Sequence, residues 1–175
     1  MVWIDLEMSG LDPKKDKIIE IATIITDGDL NIVMEGPNFA IHQPPRVLKA
    51  MDAWNQREHA RSGLIDRVKN SKISLKQAEE ETLKFLKDYT YRKKAPLCGN
   101  SVHHDRRFMI QYMPKIIDHL HYRIVDVSSI SGVISRWYPN SQVSKIPQKK
   151  KLHKALDDIR ESIEELQYLR EHFFK

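Results

Sequence analysis

In the opening run VWIDLEM, Val2, Ile4, Leu6 and Met8 alternate with Trp3, Asp5 and Glu7. A period of two is that of a strand with one face on a core, and here it leaves two acids side by side on the other face. Residues two apart on a strand are roughly 7 Å apart at the backbone, so both carboxylates can converge on one point. A third acid, Asp105, stands three, four and seven positions before Phe108, Met109 and Tyr112. That spacing places a carboxylate on the apolar side of its helix. A fourth comes from LHKALDDIRES. At about 100° per residue, Asp158 lies roughly 90° from the centre of that helix's apolar stripe, and Asp157 nearly opposite it. Asp158 can therefore point along the edge of the core, while Asp157 faces water. His153 precedes the helix on a loop, from which its ring can swing toward a site.

Taken singly, each residue has an ordinary explanation. An acid in a first helical turn is favoured by the helix dipole, and a histidine among lysines is commonly a surface residue. Taken together, buried carboxylates cost energy or take up protons unless cations accompany them. Ligands that are all oxygen suit hard Mg²⁺ or Mn²⁺, and without a matching cysteine and histidine set a structural zinc is not expected. Four acids balance two divalent ions, and two such ions about 3.5 to 4 Å apart stabilise both the attacking and the leaving oxygen of a phosphoryl displacement. A histidine that is largely neutral at pH 7 can take the proton of an attacking water. The chemistry is metal-assisted hydrolysis of a phosphodiester.

The chain that must position these groups has 175 residues, enough for one well-cored domain and too few for two. Apolar and charged contents of 41% and 30% fit a folded globular protein. No window approaches the roughly 18 consecutive apolar residues of a membrane span, so a soluble protein is expected. The one cysteine, Cys98, cannot form an internal disulfide, which fits a reducing, intracellular compartment. Any targeting segment would lie upstream of the first strand. A net charge of +5 favours a polyanionic partner. Lys145, Lys149, Lys150, Lys151 and Lys154 crowd one stretch, although such runs are usually solvated loops.

Hydrophobic periods give the element order. KIIEIATIIT reads as a second strand ending at a two-residue Asp27-Gly28 hairpin, and LNIVMEG and PNFAIHQ continue an antiparallel meander. Asp52 caps a helix that Gly63 stops. Ser74 and Gln77 form a capping box before a long helix through about Asp88. APLCGN is a short strand, HDRRFMIQYM a helix stopped by Pro114, HYRIVDV a strand and SSISGVISRW a helix. After a polar loop from Tyr138 to Leu152, a last helix runs from about Lys154 to Phe173 with Leu156, Ile159, Ile163, Leu166 and Leu169 as its buried stripe. The class is α/β, a mixed sheet flanked by helices.

WIDLEMSGLD, CGNSVHHDRRF and LHKALDDIRES resemble the three motifs of the DEDD exonuclease superfamily, in the DEDDh subtype whose last motif is His, three or four residues, then Asp. With MDAWN, HYRIVDVSS and ALDDIRESIEEL, the chain resembles the oligoribonuclease family along nearly its whole length. The resemblance implies a single exonuclease domain over residues 1–175 with a ribonuclease H-like fold, and a homodimer. It also implies hydrolysis of very short RNAs from the 3′ end, down to dinucleotides, releasing 5′-mononucleotides. Asp5, Glu7, Asp105 and Asp158 then become the metal-binding acids, Asp5 touching both ions, and His153 the general base. Leu11 wedges against a base, and Trp54 and His59 border the 3′ nucleotide. Ser101 and Ser128 hold the terminal phosphate, and Tyr122 and Arg123 reach into the neighbouring subunit's site. A pocket capped at the 5′ phosphate by serines and Arg123 would disfavour longer chains. His103 and His104 have no counterpart role in the family and are read as surface or packing residues. HLHYRIVDVSS and RWYP lean toward eukaryotic members, where placement is cytoplasmic or mitochondrial. The alternatives are a related DEDD exonuclease acting on DNA or longer RNA 3′ ends, and a silent nucleic-acid-binding module, against which the full set of four acids and a histidine stands.

Overall fold

A computed structural model of the chain describes residues 1–147 and 154–174. Five strands form one sheet in the order β3-β2-β1-β4-β5: β1 Val2–Met8, β2 Ile18–Thr26, β3 Ile32–Ala40, β4 Leu97–Gly99 and β5 Ile124–Asp126. The first three are antiparallel neighbours, while β4 and β5 run parallel to β1. The expected mixed sheet flanked by helices is therefore observed. Four helices fall where their signals stand: α2 Ala53–Arg61, α4 Leu75–Tyr89, α5 His103–Tyr112 and α7 Val127–Trp137. The Asp52 carboxylate accepts the Asn55 N–H at 2.8 Å, and the Ser74–Gln77 capping box closes in both directions. The last helix, α9 Ala155–Phe173, starts one residue later than its signal. Four short helices carry no periodic signal: α1 Pro45–Ala50, α3 Leu64–Asn70, α6 Pro114–His119 and α8 Asn140–Val143. Pro114 ends α5 as expected and also opens α6, where its missing N–H costs nothing.

Three local expectations are corrected. The β2–β3 connection is a five-residue turn rather than a two-residue hairpin; Asp27 accepts the N–H groups of Asp29 and Asn31, and Leu30 adopts a left-handed φ of 69°. The two segments LNIVMEG and PNFAIHQ form one strand, β3. Gly36 and Pro37 lie between Glu35 and Asn38, which pair with Ile24 and Ala22, so two residues oppose Thr23 alone. Such a bulge on an edge strand accommodates a proline that cannot donate to the ladder. On α9 the buried positions are Ala155, Ile159, Ser162, Ile163, Leu166, Leu169 and Phe173, and Leu156 is half-buried.

Both faces of the sheet are covered, which the alternation in β1 did not disclose. Val2, Ile4 and Leu6 pack with Leu86 of α4, Phe108 and Met109 of α5 and Ile116 of α6. On the opposite face Trp3, Ala22 and Ile24 pack with Val127 and Ile134 of α7 and with Ile159, Ile163 and Leu169 of α9. Trp3 is fully buried, its indole N–H donating to Thr26 Oγ1 at 3.0 Å. A third cluster joins Ile19 to Leu48, Met51, Leu64 and Val68 on and around α1 and α3. Among the described residues no helix is long and apolar enough to cross a membrane.

Candidate active site

The site lies at the C-terminal end of β1. Asp5 and Glu7 continue the face that begins with Trp3, and that face is covered by α9. Strand and helix thus meet at their acidic positions, and Asp5, Glu7 and Asp158 each offer a carboxylate oxygen within 4.8 Å of the others. The helical phase that separated Asp158 from Asp157 holds: Asp157 pairs at 3.0 Å with Arg160, which also grips Glu35 of β3.

Asp105 arrives from the other side of the sheet. Its Oδ1 accepts the Leu6 N–H at 2.9 Å. β4 pairs with β1 only at Val2 and Trp3, so beyond that point a carboxylate takes the place of a neighbouring strand. Asp105 is 6% exposed and lines the same cleft as the other three acids. The cleft, about 290 Å³, is also lined by Leu6, Met8, Leu11, Asn100, Ser101 and His104.

Burial pushes the Glu7 carboxyl from 4.5 up to about 8, helped by the negative charges of Asp158, Glu20 and Asp105 and opposed by Arg67. A carboxylate so placed is stable only with compensating positive charge. The oxygen-only donor set fits a hard divalent cation.

The residues carried by resemblance fall into three groups. Leu11 stands at the cleft lip, 61% exposed. Its loop is tied down by the Asp16 carboxylate, which accepts from Ser9 Oγ and from the Asp12 N–H, and by Tyr112, whose hydroxyl donates to the Pro13 and Asp16 carbonyls. Trp54, in the first turn of α2, is half-exposed. His59, four residues into the same helix from Asn55, is instead buried: its Nε2 faces the Met8 carbonyl at 3.1 Å and its Nδ1 lies 3.9 Å from Glu7 Oε2. Ser101 and Ser128 form the second group, their hydroxyls 3.2 Å apart. The Ser101 N–H donates to Asp126 Oδ1 and to Ser128 Oγ, both at 3.0 Å, in a left-handed backbone conformation of φ 49°. Tyr122 and Arg123, the third group, stand exposed outside the cleft of their own chain, the guanidinium 5.5 Å over the ring. His153, with Lys149, Lys150 and Lys151, lies outside the described residues.

Sequence reasoning missed two residues that line or brace the cleft. His104, read as a surface or packing residue, lines it, with its ring 4.1 Å from that of His103. Asn100 receives the Ser128 hydroxyl at 2.8 Å and donates to Ser162 and Glu165 of α9 at 3.0 Å. The Ser162 hydroxyl in turn donates to the Asp158 carbonyl at 2.7 Å. The serine pair and the helix carrying Asp158 are therefore one hydrogen-bonded unit. A polar asparagine directly after an apolar strand was the available signal.

Comparison with known proteins agrees with this geometry. An exonuclease family profile of the RNase T type matches residues 2–166. The chain is 53% identical over 174 residues to an oligoribonuclease of Acinetobacter baylyi, covering 99% of this chain and 94% of that one. It is 51% identical to an oligoribonuclease of Pseudomonas aeruginosa over 100% of this chain and 96% of that one. Both are bacterial, which gives the mitochondrial expectation no support. Among solved structures, S. pombe Pop2p in its Mg²⁺ and Mn²⁺ bound form superposes with a TM-score of 0.70 at 12% identity, covering 99% of this chain and 83% of that one. The nuclease domain of 3′hExo, a DEDDh family member bound to rAMP, gives 0.64 at 14% identity, covering 98% and 92%. At such identities these two speak for the ribonuclease H-like exonuclease fold. Half of the residues are shared end to end with the bacterial enzymes, and on that ground the chain belongs to the oligoribonuclease family of DEDD exonucleases.

Proposed function

We propose that Asp5, Glu7, Asp105 and Asp158 hold two divalent cations, Mg²⁺ or Mn²⁺, and that this single domain uses them to hydrolyse very short RNAs from the 3′ end. The observation that carries the reading is the convergence of Asp5, Glu7 and Asp158 within 4.8 Å around a Glu7 whose carboxyl is pushed up to about 8. When bound, the cations supply Lewis acidity and neutralise charge on the attacking and leaving oxygens. Water oxygen bonds to phosphorus, the bond to the 3′ oxygen of the preceding nucleotide breaks, and a 5′-mononucleotide leaves. His153, five positions before Asp158 in the sequence, takes the proton of the water.

The exposed side chains of Leu11 and Trp54 give the bases apolar surfaces on which to settle. His59, packed behind Glu7, keeps that carboxylate in place at the 3′ nucleotide. Asp126 holds the backbone N–H groups of Ser101 and Ser128, and Asn100 accepts the Ser128 hydroxyl, so the paired serine hydroxyls meet the 5′-terminal phosphate at little entropic cost. Tyr122 and Arg123 complete the same phosphate site in a second copy of the chain, which makes the working unit a homodimer. A phosphate enclosed in this way leaves no path for a longer strand.

The test uses purified protein and end-labelled RNAs of two, five and twenty nucleotides, with Mg²⁺, Mn²⁺ or chelator, beside Asp5→Ala. The expected result is metal-dependent release of 5′-mononucleotides, fastest from the dinucleotide and lost in the variant. Equal or faster attack on the longest RNA would overturn the capped pocket.

A further inference from the structure

β2 reads IIEIATIIT, and Glu20 is its one charged residue. It is 1% exposed. The antiparallel register places it directly opposite Glu7, on the same face of the sheet. Partners in such a position have Cβ atoms about 4.5–5.5 Å apart, and like charges there repel. Glu20 Oε1 accepts from Arg67 Nη2 of α3 at 2.7 Å. Its other oxygen, Oε2, is buried and has no partner among the described residues.

The local backbone is shaped for this arrangement. Between Glu7 and Met8 the β1–β2 register shifts: Glu7 opposes Glu20 and Met8 opposes Ile18, so Ile19 is extra. A bulge of this kind re-aims a side chain, and Ile19 turns into the cluster with Leu64 and Val68 of α3. That contact fixes the helix from which Arg67 reaches Glu20. A purely structural ion pair accounts for the bond to Oε1. It does not account for a second carboxylate set against the first, with one oxygen left unpaired at the back of an acidic centre.

We infer that Glu20 and Arg67 are positioning residues for the metal centre: Glu20 adds a fifth negative charge behind Glu7 without ligating a cation, and Arg67 holds that charge in place when no cation is bound. This rests on the proposed reading of Asp5, Glu7, Asp105 and Asp158 as metal ligands. The geometry gives the two groups opposite effects: a carboxylate directly across the register from Glu7 attracts a cation held there, and the guanidinium bonded to that carboxylate opposes it.

The experiment titrates Mn²⁺ into the full-length metal-free protein at constant pH, reading free Mn²⁺ by electron paramagnetic resonance, and records thermal melts with and without the ion. Glu20→Gln keeps the shape and an acceptor for Arg67. Its Mn²⁺ affinity is expected to fall about tenfold with the number of bound ions unchanged. Arg67→Gln is expected to act with the opposite sign. It lowers the melting temperature of the metal-free protein and raises Mn²⁺ affinity, by about threefold or less because Arg67 is 42% exposed and screened by salt. Opposite signs are what a structural pair cannot produce. Unchanged affinity in both variants would overturn the inference, and so would loss of one bound ion in Glu20→Gln, which would make Glu20 a ligand. Wild-type protein that binds no Mn²⁺ would instead overturn the metal site itself and this inference with it.

Discussion

Metal-free protein should lose stability as pH rises, and the loss is calculable from Glu7. Its carboxyl is pushed from 4.5 up to about 8 by burial and by Asp158, Glu20 and Asp105. In the folded, metal-free state Glu7 keeps its proton through neutral pH, whereas in the unfolded chain it has lost it. The folded state therefore binds more protons across that window, and stability falls with increasing pH. The contribution is fully present below about pH 4.5 and is gone above about pH 8. At about 1.4 kcal/mol per pH unit, the difference amounts to at most about 5 kcal/mol. For a chain of this length that is a ceiling of roughly 10–20 °C in melting temperature. The proton belongs to the acidic cluster as a whole, so the observed midpoint is a property of the group. His104 and His119, whose pKa values are lowered mainly by burial, contribute the opposite slope near their unfolded value of about 6.5. The quantity to measure is thus the wild-type curve minus that of Glu7→Gln, in chelator, from pH 5 to 9. Adding Mg²⁺ should restore most stability at high pH, because the ion requires the carboxylate and displaces its proton. A difference between the two curves that is flat or rising from pH 5 to 8, which is what a Glu7→Gln variant with the same fall as wild type would give, would refute the reasoning.

Three further outcomes follow from particular contacts. Asp158→Asn should lower hydrolysis of a dinucleotide by about two orders of magnitude or more, while Asp157→Asn, which loses only a half-exposed pair with Arg160, should stay within about threefold of wild type in the same assay. Cys98 is buried and its thiol is pushed up to about 12 by burial; iodoacetamide at pH 8 should label it only in denaturant, as mass spectrometry would show. Gly36→Ala would drive a Cβ into the Phe85 ring, and urea unfolding should register a loss of about 1–3 kcal/mol.

The acidic centre was legible where it depended on local period. Alternation along VWIDLEM put Asp5 and Glu7 on one face, and helical phase chose Asp158 over Asp157, because strand and helix geometry fix side-chain direction residue by residue. The capping signals at Asp52 and Ser74 were equally local. The short helices α1, α3, α6 and α8 were not legible, since four to seven residues give too few turns for a period to show. Period also names a face without naming what covers it. Alternation in β1 assigned Trp3 to the face opposite the core, and only the packing of α7 and α9 made that face a second core. The same limit hid the role of Asn100 between Ser128 and α9, the entry of His104 into the cleft, and the pairing of Glu20 with Glu7. The sequence by itself determined which residues could hold cations and which way each points from its own backbone. The tertiary structure alone decided which of them meet, because contacts between residues 5, 20, 67, 105 and 158 are set by sheet register and helix packing, and no local propensity encodes either.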